Sequence, residues 1–389
     1  MLKQIAEVKV LVTGGHLTPA LAVLEELKNQ GFTKFIWAGH YYAQTSSKAF
    51  SAEYLQVTGQ YKIPFINVHG GKIWRKWTRK TWLLGIWNLI LIPVGFLEAL
   101  GIILKYQPDI VIAFGGYLAL PLVLVAKLFG KKTITHEQTN VVGKANKVIA
   151  RFADKVLVSW PESLNNFPAE KVVYTGNPIL KTILTVKSSN FDFQRTKPIL
   201  LITGGNQGAN NINRRIFPEL QKLLEHFNII HQTGNSTVTK DFEKAQIFKE
   251  QLPSQLQDNY LIREYIYQDE IGEVFAKADL VLGRSGANTC SDLLALGKLA
   301  VLMPIPWSDG NEQLKNAQML EKIGLARIIQ QTDALPAAAL TEVLLSCLPI
   351  IENKLAFNNQ PLSQVQEAAR SLIKLDAAER FVMEVKKML

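Results

Sequence analysis

The chain has 389 residues, 48% hydrophobic and 20% charged, a balance that excludes a disordered polymer and predicts two domains of roughly 100–200 residues each. Its two cysteines, Cys290 and Cys347, lie in no CxxC or Cys/His cluster, which excludes a disulfide framework and a structural zinc site. A net charge of +10 admits nucleic acid or an anionic membrane as partner, and the placement of the charge decides between them. Met1 to Val8 carries charge and runs into a glycine loop, so no signal peptide is expected and the setting is intracellular and reducing.

In chain order, a β-branched run at Lys9–Val12 predicts a buried strand that ends in Thr13-Gly14-Gly15-His16, with a helix over Leu21–Gln30 and a strand at Phe35–Ala38. Next comes a basic cluster, Lys72, Arg75, Lys76, Arg79 and Lys80, interleaved with Trp74, Trp77 and Trp82 and followed by the apolar run Leu83 to Val94. Trp favours the bilayer interface and Lys or Arg the anionic headgroups, so Trp74, Arg75, Lys76, Trp77, Arg79, Lys80 and Trp82 predict peripheral membrane contact. A buried core helix behind a solvated loop is the bland alternative. A true span fits less well, because Asn88, Pro93 and Glu98 interrupt the segment from Thr81 to Leu104. The apolar run directly after the cluster argues against nucleic acid.

Strands at Ile110–Phe114, Lys132–Thr135 and Lys155–Ser159 continue the series, with a helix over Leu120–Phe129. Tyr174-Thr175-Gly176-Asn177-Pro178 is a turn signal, and the domain boundary is placed there: residues 1–178, then 179–365. A second alternation follows, with strands at Ile199–Thr203, Ile229–Gln232, Leu261–Glu264, Leu280–Leu282 and Leu299–Pro304 and helices around Arg214–His226, Ile271–Ala276 and Asn288–Ala295. Ser363–Leu389 is a helix-rich tail. The rhythm predicts an α/β protein of two Rossmann-like, doubly wound domains facing a cleft.

The segment Val8 to His16 is repeated 190 positions later by Pro198 to Asn206, strand into Thr-Gly-Gly into helix. Such loops hold phosphate, because glycines allow close backbone approach and the helix N-terminus attracts an anion. The copies differ where the first has His16, a titratable base, and the second Asn206-Gln207, which only hydrogen-bond. Arg284-Ser285-Gly286-Ala287-Asn288-Thr289 puts small residues and hydroxyls at another helix start, suited to a diphosphate without a metal. No DxD and no GxxxxGK[ST] occurs, so no metal site is assigned and a P-loop enzyme is disfavoured, with a divalent cation left as an optional aid to the diphosphate.

Taken in order, the motifs resemble the MurG family of GT-B glycosyltransferases: Thr13-Gly14-Gly15-His16, Phe114-Gly115-Gly116-Tyr117, His136-Glu137-Gln138 with Gly143 and Asn146, Gly176-Asn177-Pro178, Gly204 to Ala209, Arg284-Ser285-Gly286-Ala287, and Gln313 with Asn316-Ala317. The resemblance implies inverting transfer of N-acetylglucosamine from UDP-GlcNAc to the C4 hydroxyl of lipid I, the muramyl-peptide on undecaprenyl diphosphate. This is a step of peptidoglycan synthesis at the cytoplasmic face of the cell membrane. It implies an N-terminal domain for acceptor and membrane, a C-terminal domain for the UDP-sugar, and a last helix of about 366–389 packed back on the first domain.

His16 is the candidate base, since imidazole titrates near neutrality, with helix capping or diphosphate binding as the alternative role. By resemblance, UDP-GlcNAc contacts fall on Thr13, Gly14, Gly15, Thr139, Asn206, Gln207, Ile266 (uracil), Arg284, Ser285, Gly286, Ala287, Asn288, Thr289, Asp292 (ribose) and Gln313 (sugar). Acceptor contacts fall on Gly115, Gly116, Tyr117, His136 and Asn146, with His136 positioning its loop. The chain departs from the family at Asp292 in place of Glu, Asn206 in place of Ser, Leu180 in place of Arg and Thr139 in place of Asn. Two rivals stand beside this assignment: a GT-B transferase for another lipid acceptor, separable by acceptor competition, and a non-catalytic UDP-sugar or membrane-binding protein, which would release no UDP.

Overall fold

The computed structural model describes residues 4–42, 50–71, 82–186, 188–193, 197–205 and 208–389. Its first sheet is built from β1 (Lys9–Thr13), β2 (Lys34–Gly39), β3 (Phe65–Asn67), β4 (Ile110–Ala113), β5 (Lys132–Glu137), β6 (Lys155–Val158) and β7 (Val172–Tyr174). The connections carry α1 (Leu17–Asn29), the one-turn α2 (Ala52–Leu55), α3 (Trp82–Tyr106), α4 (Ala119–Leu128) and α5 (Lys144–Phe152). All seven strands are parallel, in the order β3-β2-β1-β4-β5-β6-β7. Central strands such as β4, Ile110-Val111-Ile112-Ala113, are fully buried, as expected where helices cover both sheet faces. The chain changes winding direction between β1 and β4, so the loops after these strands splay apart into a binding crevice.

The second sheet repeats the plan with β8 (Ile199–Thr203), β9 (Asn228–Gln232), β10 (Tyr260–Arg263), β11 (Leu280–Gly283), β12 (Ala300–Leu302) and β13 (Ala326–Ile328), parallel and ordered β10-β9-β8-β11-β12-β13. Its helices are α6 (Asn210–Ile216), α7 (Leu220–Leu224), α8 (Asp241–Glu250), α9 (Ser254–Gln257), α10 (Ile271–Lys277), α11 (Ala287–Leu296), α12 (Glu312–Lys322), α13 (Ala337–Leu345), α14 (Leu348–Glu352) and α15 (Leu362–Ser371). The single helix expected over Arg214–His226 is interrupted by a 3₁₀ turn at Phe217–Glu219, because Pro218 has no N–H to donate.

The chain divides into two compact units, Met1–Ile179 with Lys374–Leu389, and Leu180–Ile373. The tail corrects the expectation of one helix over 366–389. It breaks at Leu372 to Asp376, where it changes unit: α15 packs on α11, and α16 (Ala377–Met388) packs on α1. Asp376 ends the break by accepting a hydrogen bond from Arg380 Nε at 2.9 Å. Within the first unit, α16 buries Phe381, Val382 and Val385, stacks Phe381 on Phe114 at 5.5 Å between centroids, and pairs Glu384 with Lys155 at 2.8 Å.

Helix α3 has two different sides. Ala99, Ile102 and Ile103 join the core of the first unit, and Glu98 accepts hydrogen bonds from the backbone N–H and Nδ1 of His69 at 2.6 and 2.7 Å. Trp82, Leu83, Ile86, Trp87, Leu89 and Ile90 are exposed, Trp87 by 55%. The segment Gly85–Tyr106 is long and apolar enough to cross a membrane, with a mean hydropathy of 2.0. Trp74, Arg75, Lys76, Trp77, Arg79 and Lys80 lie outside the described residues.

Candidate active site

In the first unit, β1 delivers Thr13-Gly14-Gly15-His16 to the crevice beside β4. Gly15 has to be glycine because any Cβ there would overlap the Gly115 carbonyl; Gly115 and Gly116 themselves adopt φ of 75° and 82°, which other residues rarely take. His16 precedes α1 without capping it through its side chain. Instead its Nδ1 lies 2.9 Å from the Phe114 carbonyl. A carbonyl only accepts, so Nδ1 carries a proton, and in the neutral ring the lone pair is on Nε2. Among the described residues, nothing bonds Nε2. Phe114, whose carbonyl meets His16, is the residue on whose ring Phe381 stacks, so α16 supports the His16 contact from behind.

His136 is a different kind of histidine. It is fully buried, with Nε2 3.3 Å from the Gly176 carbonyl and 3.2 Å from Ser159 Oγ, and burial pushes its pKa down to about 3. It is neutral and structural at any working pH. Thr139 and Asn146 are also buried, and both serve Glu137: its Oε1 accepts from the Thr139 backbone N–H and hydroxyl, its Oε2 from Asn146 Nδ2 and the Gly143 N–H, all within 3.0–3.2 Å. Asn146 Nδ2 also donates to the His136 carbonyl at 3.1 Å. These residues therefore stand behind the loop and hold its shape. Thr13 Oγ1 is buried with no hydrogen-bond partner among the described residues. Tyr117 reaches the surface, its hydroxyl 2.8 Å from His40 Nε2.

In the second unit, Gly205 and Gly208 both take φ of 73°, and a Cβ on Gly208 would overlap the Thr233 carbonyl. The Gly205 N–H donates to Thr203 Oγ1 at 3.1 Å and its carbonyl accepts from Gln232 Nε2 at 3.1 Å, which fixes the loop start. Asn206 and Gln207 lie outside the described residues. Behind the loop, Asn213 donates to the Thr233 carbonyl and to Asp241, and Asn210 donates to Asp241 as well.

The loop after β11 leads into α11 with Gly286 at the N-cap and no side chain capping it. The helix thus offers its first-turn N–H groups at Ala287 to Thr289 to an anion. Ser285 is buried, its Oγ donating to the Gln313 carbonyl at 2.8 Å and its own carbonyl accepting from Asn316 Nδ2 at 3.1 Å. Gln313 in turn accepts the Ile305 N–H through Oε1 at 3.2 Å. Ser285, Gln313 and Asn316 thus tie the starts of α11 and α12 together. Arg284 donates to the Met303 carbonyl at 2.8 Å; burial, then nearby Arg215, lowers its pKa to about 10, so it stays cationic at neutral pH. Asp292, half-buried on the first turns of α11, has its carboxyl pushed up to about 8 by burial. Ile266 is buried, and its sequence neighbours Tyr265 and Tyr267 meet each other edge to face at 5.1 Å. Among the described residues, no group of three or more His, Cys, Asp or Glu side chains is placed to hold a metal ion.

Sequence reasoning passed over Glu53, His40 and the Asn210–Asn213–Asp241 set. None sits in a glycine motif, and only their position behind or beside one reveals them.

Residues 11–158 match the glycosyltransferase family 28 N-terminal domain, and residues 199–375 match the family 28 C-terminal domain. The chain is 32% identical over 377 residues to the UDP-N-acetylglucosamine–N-acetylmuramyl-(pentapeptide) pyrophosphoryl-undecaprenol N-acetylglucosamine transferase of Desulfotalea psychrophila, covering 95% of this chain and 93% of that one. It is 32% identical over 380 residues to the enzyme of the same name from Thermoanaerobacter pseudethanolicus, covering 96% and 97%. The crystal structure of Acinetobacter baumannii MurG matches with a TM-score of 0.64 at 28% identity, over 98% of this chain and all of that one. A UDP-GlcNAc 2-epimerase from Neisseria meningitidis shares the fold at a TM-score of 0.62 and 14% identity, over 98% and 99% of the two chains.

Proposed function

The chain belongs to glycosyltransferase family 28, among the MurG-type N-acetylglucosaminyltransferases, and from that premise we propose which of its residues carry the transfer from UDP-GlcNAc to the C4 hydroxyl of lipid I. The observation that supports the assignment most is the fixed tautomer of His16. With Nδ1–H committed to the Phe114 carbonyl, Nε2 is the lone pair offered to an acceptor hydroxyl. As the hydroxyl oxygen bonds to C1 of the donor sugar, the C1–O bond to UDP breaks, the hydroxyl proton passes to Nε2, and the electron pair leaves on the diphosphate. The first-turn N–H groups of α11 and the Arg284 cation stabilise that charge. Asp292 receives the ribose hydroxyls, the Ile266 segment the uracil, and Gln313 the sugar. Gly115, Gly116 and Tyr117 border the acceptor, while His136, Thr139 and Asn146 keep the acceptor loop in shape.

The protein docks peripherally on the cytoplasmic face of an anionic membrane through the exposed side of α3, including Trp82 and Trp87. What favours docking over spanning is the inner side of the same helix, bound to the core by Ala99, Ile102 and Ile103, which a crossing would strip away. The deciding experiment is UDP release from UDP-GlcNAc with a lipid I analogue in detergent. Wild type should turn over, diacylglycerol should not replace the analogue, and absence of any turnover would remove the assignment.

A further inference from the structure

Beneath the loop that carries His16 lies a carboxyl group to which the transfer assigns no task. Glu53, on α2, directs its carboxyl under the ends of β1 and β2. Oε1 accepts from the indole N–H of fully buried Trp37 at 2.6 Å, and the His40 backbone N–H donates to the same carboxyl. It rests on Gly14 and Gly39, where a Cβ at either position would overlap its oxygens. Ser51 fixes the start of α2, donating to the His40 carbonyl at 2.6 Å and accepting from the Tyr54 N–H at 3.0 Å. The glycine at position 14 is thus needed for the carboxyl behind it as well as for a ligand in front.

We propose that Glu53 is a positioning residue for the acceptor: from behind Gly14 it fixes the turn that presents His16 and sets the charge an incoming diphosphate meets there. The inference rests on the acceptor reading of the first unit. No cationic side chain among the described residues pairs with Glu53. The titratable groups beside it are Tyr117 after β4, whose own pKa burial and then the Glu53 charge raise, and His40 after β2, which meets the carboxyl through its backbone and Tyr117 through its ring; His16 follows Gly14 by two positions in sequence. Burial pushes the Glu53 carboxyl up to about 7, against the opposing pull of the Trp37 and His40 N–H groups. Below that pH the carboxyl is neutral. Above it, a negative charge stands beneath the backbone that would receive the diphosphate, and acceptor affinity falls.

The test is the pH dependence of acceptor KM, together with pyrophosphate affinity by calorimetry in saturating UDP, for wild type, Glu53→Gln and Trp37→Phe. In wild type, acceptor KM should rise at least about fivefold between about pH 6 and 8.5, with pyrophosphate affinity falling in parallel. Glu53→Gln keeps an acceptor for Trp37 and should flatten both profiles, leaving kcat and the KM for UDP-GlcNAc within about twofold at low pH. Trp37→Phe removes one N–H that favours the anion, so its rise should move to higher pH. A purely structural role would change both KM values equally at every pH. Glu53→Gln profiles that follow wild type, or a Trp37→Phe profile that does not move, overturn the proposal. Absence of transfer by wild type sinks the functional reading alone, since the pyrophosphate profiles still decide the role of Glu53.

Discussion

His16 and His136 are the same side chain in two environments. One keeps an outward Nε2 beside a glycine turn, and the other is enclosed and held neutral. His16→Ala should therefore lower kcat by about 10²–10⁴ with little change in the KM for UDP-GlcNAc, while His136→Ala should act through stability. Steady-state kinetics beside thermal melts separate the two, and near-wild-type turnover by His16→Ala would remove it as base. Asp292 carries the opposite tension. Its carboxyl titrates at about 8 in the fold against an ordinary 3.8, so the site costs stability increasingly as pH rises from the lower value and fully above the higher one. Asp292→Asn should raise Tm by a few degrees at about pH 8.5, change it little near pH 4, and weaken UDP binding by about tenfold through loss of the ribose contact proposed for it. Calorimetric melts and titrations at both pH values check this, and a lower Tm at the high pH would contradict it.

At the scale of elements, individual glycines of these loops are fixed by the backbone packed against them. Gly208 sits at positive φ with the Thr233 carbonyl where a side chain would go, so Gly208→Ala should distort the loop, destabilise the second unit by more than about 1 kcal/mol and abolish measurable UDP binding. A denaturant midpoint and a UDP titration report the two effects. On α3, Trp87 and Ile90 are exposed, the latter by 51%, whereas Ala99, Ile102 and Ile103 are buried in the core. Their joint replacement by Glu should reduce binding to anionic vesicles about tenfold or more without lowering turnover on a detergent-soluble acceptor. Loss of both activities together would point to damage in the core instead.

These elements also show which parts of the architecture could be read in the residues. Both Thr-Gly-Gly loops and the strands feeding them were legible, because a buried parallel strand is a continuous β-branched run and a close backbone approach needs glycine. Strands β3, β7 and β13 were not. Each has three residues at the edge of its sheet, too short for a period and half-exposed for much of its length. Of the site, His16 and the α11 loop were visible as motifs, whereas Glu53 has no local signature. A lone acid among aromatic residues gains its meaning only when β2 brings Trp37 beneath Gly14.

For the whole molecule, the repeated strand order β3-β2-β1-β4-β5-β6 and β10-β9-β8-β11-β12-β13 makes the chain two copies of one plan, yet the copies are not equally self-contained. The second unit is one continuous stretch, Leu180–Ile373, while the first needs Lys374–Leu389 to finish its core. That last segment supplies Phe381 to Phe114, Val382 and Val385 to the interior, and Glu384 to Lys155. Removing it would uncover an apolar face on α1 and loosen the ring whose carbonyl orients His16. Truncation after Ile373 should therefore unfold or aggregate the first unit, costing more than about 4 kcal/mol for the lost aromatic and aliphatic burial, while the second unit keeps its UDP affinity. Limited proteolysis with mass spectrometry, beside a UDP titration, reads both outcomes. Intact first-unit protection in the truncated chain would show that α16 is dispensable to that core, and the milder Phe381→Ala should then lose no turnover. If α16 does support His16 through Phe114, Phe381→Ala should lower kcat more than it raises the KM for UDP-GlcNAc, because Ile266, Asp292 and Gln313, proposed to hold the donor, belong to the other unit.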